Sequence, residues 1–440
     1  MFTKQYLKSL LKLDSRRKWA LKQSYAEYMN KFKSFKNMDI LNALRGRGIV
    51  TVVGDEYTWL AMLNILQLRH TGCKLKEEIY IPFNESYDRQ FCEYVAPKLG
   101  ANCVLDYKLF HFEKFSNIKI QRFAFKILAI ISSRFNEIFF LDADNVSLKD
   151  PTPLFEWLKF IQTGLVLWPD AWARTTNPFF YDLVETKVQS FDNNNNQKYY
   201  ILNGLPDITC ESGMMMINKK KQSNILFLSL YFNIYGKDYY YPLLTQGGAG
   251  EGDKNTYIAA AYALKSPVYL VHSQMEFVGY CNKKFNSKAF AQCNPLTLSE
   301  EQADKIGVNA ICSCDSTLFL HMSYPKFLFG SIDKEIIHRG NHILFYETIK
   351  DEKMGFELQF WEFYTQLICR NWQEPNLRVY SSVSKPIDKW LKLQGAHLKY
   401  MLKYNLNSIC QSKLIPHLEF LRKWFMYGNK DVSQFQQNIF

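Results

Sequence analysis

From residue 49 onward, short apolar runs alternate with stretches in which apolar positions recur at helical spacing. Ile49-Val-Thr-Val-Val53 is β-branched and closed by Gly54-Asp55, which predicts a strand. Tyr57 to His70 carries Leu60, Leu63 and Leu66 to Leu68 along a helical stripe that ends at Gly72. Ile79-Tyr-Ile81 before Pro82 predicts a second strand, and Tyr87 to Leu99 a helix with Phe91, Tyr94, Val95 and Leu99 on one face. Cys103-Val-Leu105 reads as a third strand. Gln121 to Phe135 follows with Phe123, Ile127, Ile130 and Ile131 at helical spacing. It hands the chain to Ile138-Phe-Phe-Leu141, a bulky continuous run of the kind buried on both faces of a sheet. Such alternation predicts an α/β fold, Rossmann-like, with a mostly parallel sheet flanked by helices. No G-x-G-x-x-G follows the first strand, so a classical dinucleotide site is not supported.

Further on, Leu165-Val-Leu-Trp168 predicts another strand, and Glu211-Ser-Gly213 a polar turn set against the apolar run Met214 to Ile217. Lys219-Lys220-Lys221 reads as a solvated junction before a helix from Ile225 to Tyr235. Gly247 to Lys254 is a glycine-dense loop opening a helix from Thr256 to Leu264. It reads either as a flexible connector or as a close approach of backbone to a sugar or phosphate. Val268 to Val271 and Leu318-Phe-Leu-His321 are late strands, the second ending in a histidine. In the last hundred residues Trp361, Trp372, Trp390 and Trp424 sit among Lys, Tyr and Phe. This predicts helices packed on the core with solvated Lys faces, membrane-surface association being the second reading. The expected organisation is a basic arm over 1–44, one α/β domain over 45–335 and a helical, aromatic-rich extension over 336–440.

The formal net charge of +12 favours an anionic partner: phosphorylated substrates, a membrane face or nucleic acid. No nucleic-acid-binding motif is present, so the charge is read towards a nucleotide and not towards DNA. The ten cysteines form no C-x-x-C pair, and Cys312-x-Cys314 is too close for a usual zinc knuckle. Four cysteines fall within 281–314, where either local disulfides or free thiols are compatible with the pattern. No run of eighteen apolar residues exists and Met1 to Phe35 is a basic, modestly amphipathic surface helix, so neither a membrane span nor a signal peptide is expected. Asn193 to Asn196 reads as a short polar insert. Of two N-x-S sequons, Asn84 lies in a surface loop, and Asn145 adjoins the acidic motif and is read as chance.

The chemistry centres on Glu137 to Glu156, where the buried strand runs into Asp142-Ala-Asp144 before Asp150-Pro and Pro153 break the chain into a loop. In open α/β sheets ligands bind beyond the carboxyl ends of the strands. Two hard oxygen donors there suit Mn²⁺ or Mg²⁺, ions that complete their shell with substrate phosphates.

These stretches resemble, in order, the nucleotide-sugar-dependent glycosyltransferases of the GT-A fold. Within these they are most similar to the fungal Golgi α-mannosyltransferases that extend N-glycan outer chains through α-1,2 and α-1,3 linkages. The resemblance rests on Arg47-Gly-Ile-Val50, Phe125-Lys126-Ile-Leu-Ala129, Phe140-Leu-Asp-Ala-Asp-Asn145 through Phe155, and Glu211-Ser-Gly213. It continues in Gly252-Asp-Lys254, Phe319-Leu-His321 and Tyr324-Pro-Lys326. It spans residues 45 to 330 and leaves out the arm and the extension.

What it implies is a metal-dependent transfer of mannose from GDP-mannose to a glycan or glycoprotein, with an α-linkage and retention, in the Golgi lumen or at its membrane. Mn²⁺ or Mg²⁺ would be held by Asp142, Asp144 and His321. Lys326 and Lys126 would face the leaving diphosphate, and Thr51, Val53 and Asp55 the base and ribose. Glu211 and Asp253 would stand at the sugar as catalytic carboxylates, with Ser212, Gly213 and Gly252 in the substrate-binding loops. A UDP-sugar donor on the same scaffold, as in glycogenin-like enzymes, and an inactive homologue acting as a partner protein remain open at this stage.

Overall fold

The computed structural model describes residues 2–32, 43–105, 120, 123–184, 201, 204–282, 284–297, 316–322, 326–328, 356–369 and 406–427. In chain order the elements are α1 (Lys4–Leu10), α2 (Ser15–Phe32), β1 (Arg47–Val52), α3 (Tyr57–His70), β2 (Glu77–Ile81) and β3 (Ala101–Leu105). Then come α4 (Ala124–Ser132), β4 (Glu137–Leu141), β5 (Asn145–Ser147), α5 (Leu158–Thr163), β6 (Leu165–Ala173), α6 (Pro178–Val184) and β7 (Ile208–Asn218). They are followed by α7 (Lys219–Ile234), α8 (Tyr241–Thr245), α9 (Thr256–Leu264), β8 (Tyr269–Leu270), β9 (Glu276–Asn282), β10 (Lys284–Cys293) and β11 (Thr317–His321). Two further helices are α10 (Phe356–Ile368) and α11 (Ile415–Tyr427).

The main sheet has seven strands in the order β3-β2-β1-β4-β7-β6-β8. The pairs β1/β2, β2/β3, β1/β4 and β6/β8 are parallel, and β7 runs antiparallel to both of its neighbours. This is the mostly parallel α/β sheet expected, with one strand reversed. Alternation decides which residues face which layer. Ile138 and Phe140 of β4 join Met215 and Ile217 of β7 in a core under α4, α7 and α9. Phe139 and Leu141 join Met214 and Met216 on the opposite face, with Trp168 and Phe319. Fully burying such side chains contributes roughly 1.5–3 kcal/mol each, and Phe139→Ala would remove about 3–5 kcal/mol.

A second sheet, of four antiparallel strands in the order β5-β11-β10-β9, stands against the carboxyl end of the first. It is joined to β6 by Trp168, whose Nε1 donates to the Cys293 carbonyl (2.9 Å), and by Gln292, whose Nε2 donates to the Pro169 carbonyl (2.9 Å). The hairpin β9/β10 is a pair of strands that the hydrophobic pattern does not predict.

Other expectations are corrected by packing. In place of a regular helix over 87–99, Phe91–Val95 form a π-helical turn and Ala96–Leu99 a 3₁₀ turn, where Pro97 offers no N–H, and Tyr94 is 55% exposed. Glu211-Ser-Gly213 is no turn: it lies inside the eleven-residue β7. The Lys219–Lys221 run opens α7, and Lys219 is buried with its ammonium on the carbonyls of Ile131 and Ser133 at the end of α4. Among the described residues the basic arm carries two helices, and Tyr28 of α2 stacks on Tyr231 of α7 (ring centroids 4.1 Å).

The C-terminal helices complete the core over α3, where Trp59 meets Tyr364 edge-on at 5.1 Å. A disulfide joins Cys369 to Cys410, and another joins Cys92 to Cys103. Trp372, Trp390, the Asn193–Asn196 insert, Cys312 and Cys314 lie outside the described residues. Among the described residues, no helix is long and apolar enough to cross a membrane.

Candidate active site

β4 ends where the chain must turn, and three backbone bonds shape that turn. The Asp142 N–H donates to the Gly213 carbonyl of β7 (2.8 Å), and the Asn145 N–H to the Asp142 carbonyl (3.0 Å). The Met322 N–H, just past β11, donates to the Asp144 carbonyl (2.8 Å). Asn64, buried on α3, steadies the turn from behind: its Nδ2 donates to the carbonyls of Asn145 (2.9 Å) and Asp142 (3.3 Å). Both Asp side chains are thereby held at the carboxyl edge of the sheet, Asp144 at 4% exposure.

Four carboxylates and three cations converge on this point. The Lys126 ammonium, from α4, lies 2.7 Å from Asp142 and 3.6 Å from Asp253, and donates to the carbonyl (3.2 Å) and hydroxyl (3.1 Å) of Ser212. Lys326 pairs with Asp144 and sits 5.3 Å from the centre of the Tyr57 ring. His321 lies between two acids, with Nε2 3.6 Å from Asp144 and Nδ1 3.5 Å from Glu211. These are ion-pair separations, and His321 Nδ1 has no hydrogen-bond partner. One Glu211 oxygen, Oε1, is pinned by the N–H groups of Ser212 (2.8 Å) and Gly213 (2.7 Å), which leaves Oε2 towards the histidine. Space at Gly213 is tight: a Cβ there would stand 3.2 Å from Asn145 Nδ2 and from Glu211 Oε1, and 3.4 Å from the His321 ring.

Burial and neighbours split the four acids. Burial pushes the Asp253 carboxyl up to about 6; Asp142 and Glu211 add to that, and Lys126 opposes it. Burial also raises Asp142, against Lys126. For Glu211 burial is outweighed by His321, the Gly213 N–H and Lys126, which hold it down at about 2. Asp144 is lowered likewise, with His321 and Lys326 overcoming burial. His321 is buried, which disfavours its charge, yet Glu211 and Asp144 raise it well above its ordinary value.

The structure thus brings Lys126, Asp142, Asp144, Glu211, Ser212, Gly213, Asp253, His321 and Lys326 into one crevice. Gly252 borders it, a Cβ there meeting the Phe123 ring at 3.3 Å. Two expected nucleotide contacts turn away from it: Thr51 is buried in β1 with its hydroxyl on Glu77 (2.8 Å), and Val53 is buried in the core beside α3. Asp55 is exposed past the end of β1, in a left-handed turn at φ 50°. Sequence reasoning missed Asn64 and Asp170. Asp170 is buried near the end of β6, ion-paired with Lys254 and close enough to Glu211 to be raised by it, after burial. The signals were a lone Asn amid the apolar positions of α3 and an acid following a strand.

The donor set of Asp142, Asp144 and His321 suits a hard divalent cation in its chemistry. As the side chains stand, no group of three His, Cys, Asp or Glu among the described residues is arranged to hold one. Lys126 and Lys326 supply the positive charge between the carboxylates instead.

The central strand of this mostly parallel sheet thus delivers an Asp-x-Asp pair into a cluster of cations. The chain is a glycosyltransferase. More narrowly, it belongs to the mannosyltransferase family whose model matches residues 46–299. It is 34% identical to α-1,2-mannosyltransferase MNN2 of Candida albicans over 96% of this chain and 77% of that protein. It is 36% identical to α-1,2-mannosyltransferase MNN5 of Saccharomyces cerevisiae over 56% of this chain and 47% of that protein. Among solved structures, the galactosyltransferase LgtC shares 14% identity over 51% of this chain and 73% of that one, at a TM-score of 0.31, a likeness too slight to argue from.

Proposed function

We propose that the chain transfers mannose from GDP-mannose to a mannose-bearing glycan with retention, forming the α-1,2 linkage that its relatives' names carry, with the help of Mn²⁺ or Mg²⁺. The observation that carries the reading is the arrangement at the end of β4, where Asp142 and Asp144 are met by Lys126, Lys326 and His321. A crevice lined this way matches a diphosphate approached by cations from several sides. Asp142, Asp144 and His321 would hold the divalent ion, which supplies Lewis-acid neutralisation of the leaving diphosphate. Lys126 and Lys326 add fixed positive charge beside the phosphates.

The two remaining carboxylates suit different tasks. Glu211 is ionised and oriented by two backbone N–H groups, which fits an anion held against the positive charge that develops on the sugar. Asp253, with its pKa near 6, fits a group that exchanges a proton with the acceptor hydroxyl. Asp55, exposed past the end of β1, would face the ribose. A luminal compartment is supported by the Cys92–Cys103 and Cys369–Cys410 disulfides, which persist in oxidising surroundings.

The test is transfer and hydrolysis with a panel of GDP- and UDP-sugars and Mn²⁺, comparing the native chain with Asp144→Ala. Turnover of GDP-mannose that needs Mn²⁺ and vanishes in the variant is expected. Turnover of a UDP-sugar alone would overturn the donor, and metal-independent turnover the role of the acidic pair.

A further inference from the structure

The small sheet carries a row of side chains through His321 whose other members neither its core nor the chemistry above accounts for. Asn145 of β5 stands directly opposite His321 of β11, His321 opposite Phe290 of β10, and Phe290 opposite Phe277 of β9. Directly opposed residues of antiparallel strands put their side chains on the same face. The other face belongs to the core: Val146, Leu320, Ala289, Ala291 and Val278 are all buried there. On the row's own face, Phe319 is fully buried against Phe139 and Trp168 of the main sheet. Two residues on, at His321, the face passes beyond that packing and opens into the crevice.

The row is continuous and graded. Phe290 meets the His321 ring edge-on at 6.0 Å, and Phe277 meets Phe290 at 5.2 Å. Asn145 is 0% exposed, and Phe277 at the outer end is 42% exposed. At the inner end, both polar side-chain atoms of Asn145 are buried without a hydrogen-bond partner, beside Gly213. An unsatisfied buried amide is costly, so something polar belongs there. An apolar aromatic strip ending in an unpaired amide, next to Glu211 and His321, has the character of a site for a pyranose chain. Such a ligand presents C–H faces to rings and hydroxyls to amides. The row also leads away from β1, because β10 is fastened to β6 on the opposite side of β4.

We propose that Phe277 and Phe290, leading inward past His321 to Asn145, form the acceptor subsite, the two phenyl rings stacking on successive mannose residues of an α-linked oligomannoside and Asn145 taking a sugar hydroxyl. This rests on the reading of the crevice as a mannosyl-transfer site and assigns its acceptor side. Phe277 is the variable end, since it lies on an edge strand and its loss leaves the core untouched.

The experiment uses the full chain with Phe277→Ala and Phe277→Trp. KM for α-mannotriose and for GDP-mannose is measured separately, and migration is followed through native gels containing yeast mannan. Phe277→Ala is expected to raise KM for mannotriose about fivefold, in line with the ~1 kcal/mol of an aromatic contact, and to weaken retardation by mannan. Phe277→Trp should restore both, and KM for GDP-mannose should stay in place. Unchanged mannotriose KM and gel mobility in Phe277→Ala would overturn the subsite, as would a rise confined to the GDP-mannose KM. If the native chain transfers no mannose, the functional reading fails on its own. The mannan gel still decides the row: native retardation lost in Phe277→Ala upholds it, and equal mobility refutes it.

Discussion

Lys126 and Asp253 face each other across 3.6 Å in the floor of the crevice, while the same ammonium lies 2.7 Å from Asp142. One cation from α4 therefore holds together two acids from separate strands and loops, all of them largely withdrawn from water. Removing it leaves two buried carboxylates without compensation. Lys126→Met should lower stability by ~3–5 kcal/mol, read as a fall in the urea midpoint. Adding Asp253→Asn to that variant should recover part of the loss, because one of the stranded charges is then gone. Equal midpoints for the single and double variants would show that the pair is not coupled.

Asp253 also sets a pH dependence whose sign can be worked out. Its carboxyl is raised to about 6 in the folded chain from an ordinary 3.8, chiefly by burial. Between those values the folded chain keeps a proton that the unfolded chain has released, so this group makes stability fall as pH rises from about 4 to about 6. Glu211, held at about 2, acts the other way and loses its contribution as pH drops below its ordinary 4.5. Urea midpoints in EDTA across pH 4–7 should show Asp253→Asn gaining on the native chain as pH rises, by ~3 kcal/mol for a shift of about two units. A constant difference across the range would contradict the assignment.

Much of this was legible in the chain. The first four strands of the sheet were visible because they are bulky and β-branched, and Asp142, Asp144 and His321 because each closes an apolar run. Glu211 was placed in a turn because a buried acid inside a strand is favourable only when a partner such as His321 arrives from a strand more than a hundred residues away. The hairpin β9/β10 was missed because one face packs on small residues, Ala289 and Ala291, and the register shifts between Ser287 and Ala289, which breaks the alternation. Thr51 was expected at the nucleotide, but the strand turns its hydroxyl to Glu77. Period-2 patterning identifies a strand without saying which of its faces meets the ligand.

Gly213 offers a test of close packing at the centre of the site. A Cβ would press on Asn145, Glu211 and His321 at 3.2–3.4 Å. The strand itself tolerates alanine, so Gly213→Ala should keep the fold, seen as an unchanged circular dichroism spectrum. The displaced carboxylate and imidazole should cost about tenfold to a hundredfold in kcat, since misplacement by about 1 Å is worth that much. Full activity in this variant would mean that Glu211 and His321 need not hold their observed positions.

The C-terminal helices supply the last prediction. α10 and α11 bury Trp361, Tyr364 and Leu418 against α3, the helix whose Asn64 supports the acidic turn, and the Cys369–Cys410 disulfide closes the 41-residue span between them. A bridge across a loop of that size typically contributes ~2–4 kcal/mol by limiting the unfolded chain. Replacing both cysteines by serine should therefore lower the urea midpoint. Because α3 carries the strain of losing its cover to the turn at Asp142, transfer activity should be lost at lower urea than the main sheet unfolds. Following activity and far-UV ellipticity in the same titration separates the two. Coincident curves would make the C-terminal helices and the sheet one cooperative unit, and an activity curve shifted to lower urea would establish that the site depends on the extension packed behind it.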